Sequence, residues 1–401
     1  MQSRARMATP TRFTLGDFSM RLPRHRIGQG EALEWLARAH AASQSAVDGL
    51  PADELLALTA RFRKILDRCA CGPSKIGMRG SVTTDIGRRD FDALELYDVL
   101  RHPHGRGAGV RAQLYAETVN AYFEAEYAQV AHAPSDIIHV TCTGYVSPSG
   151  AQRLVASRGW GATTRVTNAY HMGCYAAFPA VRMAAGLAAT RLDVGPSAES
   201  RVDIVHTELC SLHLDPSNHS IEQLVVQSLF ADGFIRYSLR EGVPARGEGA
   251  HGAVLRVVAM DERILPDSAD SMSWTESEWG MQMTLARDVP ARIARSLREF
   301  VLDLYRKAGM DAATELGRTV FAVHPGGPKI IDGVREVLEL SDAQVATSRQ
   351  VLFDHGNMSS ATLPHIWMRL VDDEAVRVGT TIVSLAFGPG LTVCGGVFRK
   401  E

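Results

Sequence analysis

Long apolar runs are missing from this 401-residue chain. No uncharged apolar stretch reaches the roughly 18 residues of a membrane span, and the longest candidate, Ala176 to Ala189, is interrupted by Arg182. An imbalance of charge is missing too. The formal net charge is -2, so no global basic field points to nucleic acid or to an anionic membrane. The first 12 residues carry three arginines but no apolar core of a secretory signal. Residues 1–15 read as a loose tail, and the expected compartment is the cytoplasm. The six cysteines (Cys69, Cys71, Cys142, Cys174, Cys210 and Cys394) have no CxxC and no regular spacing. In a large chain without a signal they read as free thiols. FGPGLTV, residues 387–393, is followed by no Lys-Ser/Thr and so is not a phosphate loop.

What is present is a soluble α/β pattern, 45% hydrophobic and 22% charged. Apolar residues at helical spacing predict helices over 31–44, 53–69, 116–131, 222–230 and 290–308, with further helical segments in VREVLEL and DAQVATSRQVLFDHG. Buried strands are predicted over 135–144, 201–214 and 253–263, in RTVFAV, and on either side of the FGPG turn. Alternating strands and helices in both halves imply a layered α/β fold. Each half is expected to end in a strand pair, FADGFIRYSLREG with AVLRVVAM and VGTTIVSLAFG with LTVCGGVF. The domain division drawn from this is 16–245 and 246–401.

Four places could carry chemistry. Cys174, in YHMGCYAAFPA, sits where a strand gives way to a helix. A helix N-terminus favours thiolate, the nucleophilic form, although cysteine also packs well as a plain core residue. His324 follows a strand and precedes Pro-Gly-Gly, where Gly326 lets backbone approach a ligand closely. Asn357, in HGNMSSA, is placed either to cap a helix or to aim an amide at a ligand oxygen. Arg61, Lys64 and Arg68 share one face of the helix over 53–69, either as a solvated face or as a clamp for phosphates. His206, Cys210, His213 and His219 crowd HTELCSLHLDPSNH, but strand alternation separates His213 from His206 and Cys210, and no metal site is expected.

Taken in order, GCYAA, VHPGGP, GNMSSA and FGPG, with ELCSLH, QSLFADG and LPDS followed by RDVP, resemble the type III polyketide synthases of the chalcone synthase superfamily. The resemblance runs from about residue 20 to 401. It implies a thiolase-like αβαβα fold with duplicated halves, a homodimer, and no metal or redox cofactor. It maps the catalytic cysteine, histidine and asparagine onto Cys174, His324 and Asn357, and the coenzyme A clamp onto Arg61, Lys64 and Arg68, with Phe62 in the same stretch and Gly326 beside the histidine. Substrate-binding positions fall on Phe230, Met283, Trp274, Ser359 and Cys142. A second gatekeeper aromatic is replaced by Met283, and Trp274 stands near a position where plant members carry a small residue. The bulk of GCYAAFPA after the cysteine and Trp274 are departures that argue against plant chalcone chemistry, and ELCSLH resembles members of bacterial type making pyrones, resorcinols or small aromatic polyketides from acyl-CoA and malonyl-CoA. Two other readings share parts of this pattern. One is a single-round ketoacyl synthase III-like enzyme served by an acyl carrier protein; the other is a non-catalytic acyl-CoA-binding protein with Cys174 in its core.

Overall fold

The computed structural model describes residues 13–51, 53–91, 94–190, 201–242 and 252–401. Its first half contains strands β1 (Phe13–Arg21), β2 (His25–Gly28), β3 (Met78–Ser81), β4 (Asp136–Thr141), β5 (Arg165–Tyr170), β6 (Arg201–Leu209) and β7 (Asp232–Glu241). Its helices are α1 (Gln29–Asp48), α2 (Glu54–Cys69), α3 (Ala108–Glu126), α4 (Gly150–Ser157), α5 (Ala177–Thr190) and α6 (Ile221–Leu229). The second half adds β8 (Leu255–Ile264), the hairpin β9 (Met272–Glu276) and β10 (Met281–Leu285), β11 (Val320–Val323), β12 (Thr381–Gly388) and β13 (Thr392–Lys400). With them come α7 (Val289–Lys307), α8 (Ala312–Glu315), α9 (Pro328–Leu338), α10 (Ala346–His355) and α11 (Thr362–Asp372).

Nine strands run in the order β11-β12-β13-β8-β1-β7-β6-β4-β5. The central seam is thin: β1 and β8 share only the pairs Thr14↔Arg256 and Leu15↔Leu255. On either side the same pattern recurs. β4 is parallel to β6, β6 antiparallel to β7, and β7 antiparallel to β1. Likewise β11 is parallel to β12, β12 antiparallel to β13, and β13 antiparallel to β8. The duplication is therefore one of topology, with β1 answering to β8.

Burial shows the layers. The apolar faces of α5 (Ala177, Val181, Ala184) and α11 (Leu363, Ile366, Trp367) form one core with Ile138, Ile204 and Ile235 of one half-sheet and Ile382 and Phe398 of the other. These two helices are thus the middle layer. Outside it, α1, α3 and α4 pack on Ile137, Val205 and Phe234, while α7 and α9 cover Phe321, Val383 and Val397. The result is the expected αβαβα stack. The strands of the middle are buried on both faces, β6 and β12 over their whole length, which is why they read as unbroken apolar runs.

Three local expectations are corrected. Residues 13–15 are not tail: they begin β1, with Leu15 fully buried. Residues 1–12 lie outside the described residues. The helix expected over 116–131 starts at Ala108, just after Gly107, and ends at Glu126. The segment FADGFIRYSLREG does not pair with AVLRVVAM, because β1 lies between β7 and β8; a strand 200 residues upstream fills the slot, and local sequence carries no sign of it. Among the described residues no helix is long and apolar enough to cross a membrane.

Candidate active site

Both middle-layer helices begin at one place. After β5 the chain turns through Gly173, at φ +74°, into a single 3-10 turn, Gly173–Tyr175, that carries Cys174 into α5. A β-carbon at position 173 would stand 2.9 Å from Pro389 Cδ, so only glycine lets the FGPG turn press this close. The turn Ser359–Ala361 leads into α11 in the same way. Cys174 Sγ and Ser359 Oγ are 3.7 Å apart, and Ser359 Oγ is 3.1 Å from Cys142 Sγ. Two positive helix ends therefore meet at one thiol, an arrangement suited to negative charge.

Ser359 is held at φ 48°, a conformation costing a residue with a β-carbon about 1–3 kcal/mol. Its N–H donates to Asn357 Oδ1 at 2.9 Å. That bond fixes the carboxamide with its NH₂ as the end left to donate elsewhere. Asn357 is itself clamped across Phe230: its N–H donates to Leu229 O (3.0 Å), and Ala231 N–H donates to Asn357 O (2.8 Å).

His324 directly follows β11 and is 1% exposed. Its N–H donates to Leu385 O at 2.8 Å, yet both ring nitrogens are buried without a partner. Burial lowers its pKa to about 3, so the imidazole is neutral in the free protein. Burial pushes Cys174 the other way, up to about 12; the bond from Ser359 eases this and the Glu208 charge adds to it. The thiolate expected from a helix N-terminus is therefore not the resting form. A helix end supplies roughly 0.3–2 kcal/mol, whereas a rise of three units is about 4 kcal/mol; desolvation wins. No hydrogen bond joins Cys174 to His324 among the described contacts.

A cavity of about 30 Å³ lies over the thiol, lined by Cys142, Thr143, Gly173, Cys174, Cys210, Phe230, Met272, Trp274, Met283, Ser359 and Pro389. It brings together six residues nominated from sequence: Cys142, Cys174, Phe230, Trp274, Met283 and Ser359. His324 and Asn357 are buried outside this lining. The hairpin β9–β10 supplies the roof, and Trp274 Nε1 donates to Cys142 O at 2.6 Å. Two residues escaped the sequence reading. Cys210 was weighed only as a metal ligand, and it lines the cavity as a third thiol. Glu208, the last residue but one of β6, is fully buried and accepts from Cys142 N–H (3.1 Å), Thr143 Oγ1 (3.0 Å) and Ser360 Oγ. Burial raises its pKa, while these donors oppose the rise.

The remaining candidates are dispersed. Arg61, Lys64 and Arg68 are exposed along α2. Between them Arg63 pairs with Glu34 (3.6 Å) and Asp67 (2.9 Å). Phe62 turns inward onto His219 and His40, with ring centroids 4.9 and 5.5 Å away. Gly326 lies in the turn before α9, where a β-carbon would meet only Ile330, at 3.4 Å. The histidines of 206–219 have separate partners: His206 faces Ser360 and Tyr237, His213 faces Thr143 O, and His219 faces His40.

Comparison with known proteins points to one family. Residues 256–400 match the family described as chalcone and stilbene synthases, C-terminal domain. The chain is 30% identical over 280 residues to type III polyketide synthase C of Arabidopsis thaliana, covering 69% of this chain and 70% of that protein. It is also 30% identical over 311 residues to the 1,3,6,8-tetrahydroxynaphthalene synthase of Streptomyces griseus, covering 75% and 78%. In fold it is similar to the C-terminal type III polyketide synthase domain of Steely1 from Dictyostelium, with a TM-score of 0.76 at 22% identity over 97% of this chain and 99% of that one. PKS-I of the brown alga Ectocarpus siliculosus superposes with a TM-score of 0.73 at 21% identity over 98% and 99%. The chain belongs to the type III polyketide synthases, acyl-condensing transferases of the chalcone and stilbene synthase family.

Proposed function

We propose that Cys174 is the acyl-carrying nucleophile and that His324 and Asn357 serve it. The observation that carries this reading is the thiol held where two helix N-termini meet, in the lining of a small cavity. Acyl transfer begins when Cys174 gives its proton to His324 and attacks the starter thioester; the C–S bond to coenzyme A breaks and His324 passes the proton to the departing thiolate, which leaves as free coenzyme A. Malonyl-CoA then enters with its phosphates on Arg61, Lys64 and Arg68. The ring N–H of neutral His324 and the NH₂ of Asn357 supply hydrogen-bond donors to its thioester oxygen. They hold the enolate formed as carbon dioxide leaves, and that carbon attacks the acyl-cysteine. Repetition followed by ring closure gives a pyrone, a resorcinol or a related aromatic polyketide.

The cavity bears on chain length. About 30 Å³ holds one or two waters, so a growing chain needs Met272 and Met283 to repack, which flexible thioether side chains do readily. Phe230 and Trp274 form the stiffer walls. We assign delivery of both substrates to coenzyme A rather than to a carrier protein, on the strength of the three exposed cations. The expected assembly is a homodimer in the cytoplasm. Incubation with malonyl-CoA and a series of acyl-CoA starters, read by mass spectrometry, tests the reading. Multiply extended, cyclised products support it. A single condensation favours the ketoacyl synthase III-like alternative, and no product at all favours a binding protein.

A further inference from the structure

We infer that His213 is a positioning residue: its imidazole straps the β9–β10 hairpin to the Cys142–Thr143 segment and so sets the size of the cavity over Cys174. His213 is absent from the cavity lining and touches no reacting atom. Its Nε2 lies 2.8 Å from Thr143 O, and Met281 N–H donates to its Nδ1 at 3.0 Å. Both partners are backbone groups with fixed roles. A carbonyl only accepts, so Nε2 carries the proton; an amide N–H only donates, so Nδ1 is bare. The tautomer is thereby determined without ambiguity.

The strap acts beside a second tie. Trp274, on β9, donates to Cys142 O, and Trp274 and Met283 face each other across the hairpin. The His213 ring packs edge-on against Trp274 at 5.8 Å. Consecutive carbonyls, 142 and 143, are thus bound to the hairpin by two side chains, one of which also forms the cavity wall. Gly280 makes the approach feasible: a β-carbon there would lie 3.1 Å from His213 Nδ1 and 3.2 Å from Arg111 Cδ. At the far end the hairpin turn is held separately, by Trp279 stacked on His104 at 4.0 Å and by Ala108 N–H on Glu278 O at 3.2 Å. Releasing His213 therefore loosens the wall above the thiol and leaves the turn anchored.

The inference deepens the proposed function, since cavity size matters only if Cys174 carries acyl chains; the test below needs no turnover and so stands or fails apart from it. His213→Gln retains a donor and an acceptor on one planar group, whereas His213→Leu retains neither. Cys174 labelling by iodoacetamide and by the bulkier N-phenylmaleimide is compared in both variants, with hydrogen exchange at the Met281 amide. The leucine variant is expected to lose about tenfold of the preference for the small reagent and to exchange Met281 at least about tenfold faster, the size of one lost hydrogen bond. The glutamine variant is expected to stay within about twofold of wild type. A folded leucine variant with wild-type size preference overturns the inference, as does equal behaviour of the two variants. If the leucine variant does not fold, rapid exchange of the Met281 amide in the wild-type protein overturns it.

Discussion

Replacing His324 by alanine makes the sharpest numerical claim. Burial, with the Glu208 charge adding to it and Ser359 easing it, holds the Cys174 thiol at about 12. A thiol with that pKa is ionised in about 3 of 10⁵ molecules at pH 7.5, against roughly one in ten for a free cysteine. The proposed mechanism has neutral His324 accept the thiol proton as the sulfur attacks, so that an opposed pair forms and never a lone buried thiolate. In His324→Ala that acceptor is gone, and only the two helix ends and Ser359 remain. The expected result is a fall of at least about 10²-fold in the rate of Cys174 alkylation by iodoacetamide at pH 7.5. The residual rate should then climb about tenfold per pH unit through pH 10, with no plateau, because the folded thiol is still far below half-ionised. Wild type should react faster throughout this range and depend less steeply on pH, because His324 takes the proton as the sulfur attacks. Asn357→Ala, which removes an oxyanion donor and no proton acceptor, should alkylate within about threefold of wild type. Equal rates and parallel pH profiles for wild type and His324→Ala would refute the proton transfer.

Acid should unfold the protein early. His40, His139, His206, His324 and His365 are held at about 3 by burial, and His355 at about 4. A depressed histidine pKa favours the fold above the unfolded value of about 6.5 and is lost as pH falls towards the folded value. Each histidine removes about 2 kcal/mol between pH 7 and 5, while Asp232, raised to about 7 by burial, returns about 2 kcal/mol in all. A circular-dichroism titration should therefore show a midpoint between about pH 5 and 6; a fold intact at pH 4 contradicts the burial of these rings. Arg68→Ala or Lys64→Ala should raise KM for malonyl-CoA about 3- to 10-fold and leave KM for a malonyl thioester lacking the nucleotide unchanged. Equal effects on both thioesters would remove the clamp from α2. Trp274→Ala should cost about 2–3 kcal/mol in thermal stability, for a half-buried ring and one hydrogen bond, and shift products towards longer chains; an unchanged product profile would free Trp274 of its role in cavity size.

Much of the fold was legible because periodicity survives burial. The helix expected over 290–308 is Val289–Lys307, and that over 222–230 is Ile221–Leu229. What local pattern missed is non-local. The strand expected to run to 214 stops at Leu209, because Cys210–His213 winds into a 3-10 turn around the cavity. On the side where β8 was expected, the partner of β7 is β1, which no reading of neighbouring segments supplies. At the site, GNMSSA and GCYAA marked the meeting of two helix starts, since small and polar residues there are local requirements of a turn. The protonation of Cys174 is not legible locally, because desolvation depends on what covers the thiol, and the cover comes from Trp274 and Met283, 100 and 109 residues away in the chain. Glu208 and Cys210 looked like strand residues and a metal ligand for the same reason. His213 gave no signal as a strap, because its partners are backbone atoms of distant segments.

The most direct test of the account is intact-protein and peptide mass spectrometry after brief exposure to an acyl-CoA starter without malonyl-CoA. Three thiols line the cavity, so the position of the adduct decides the matter. The account predicts one acyl group on the peptide containing Cys174, absent from Cys174→Ala. An adduct that persists in Cys174→Ala, or that lies on Cys142 or Cys210 in the wild-type protein, would contradict it.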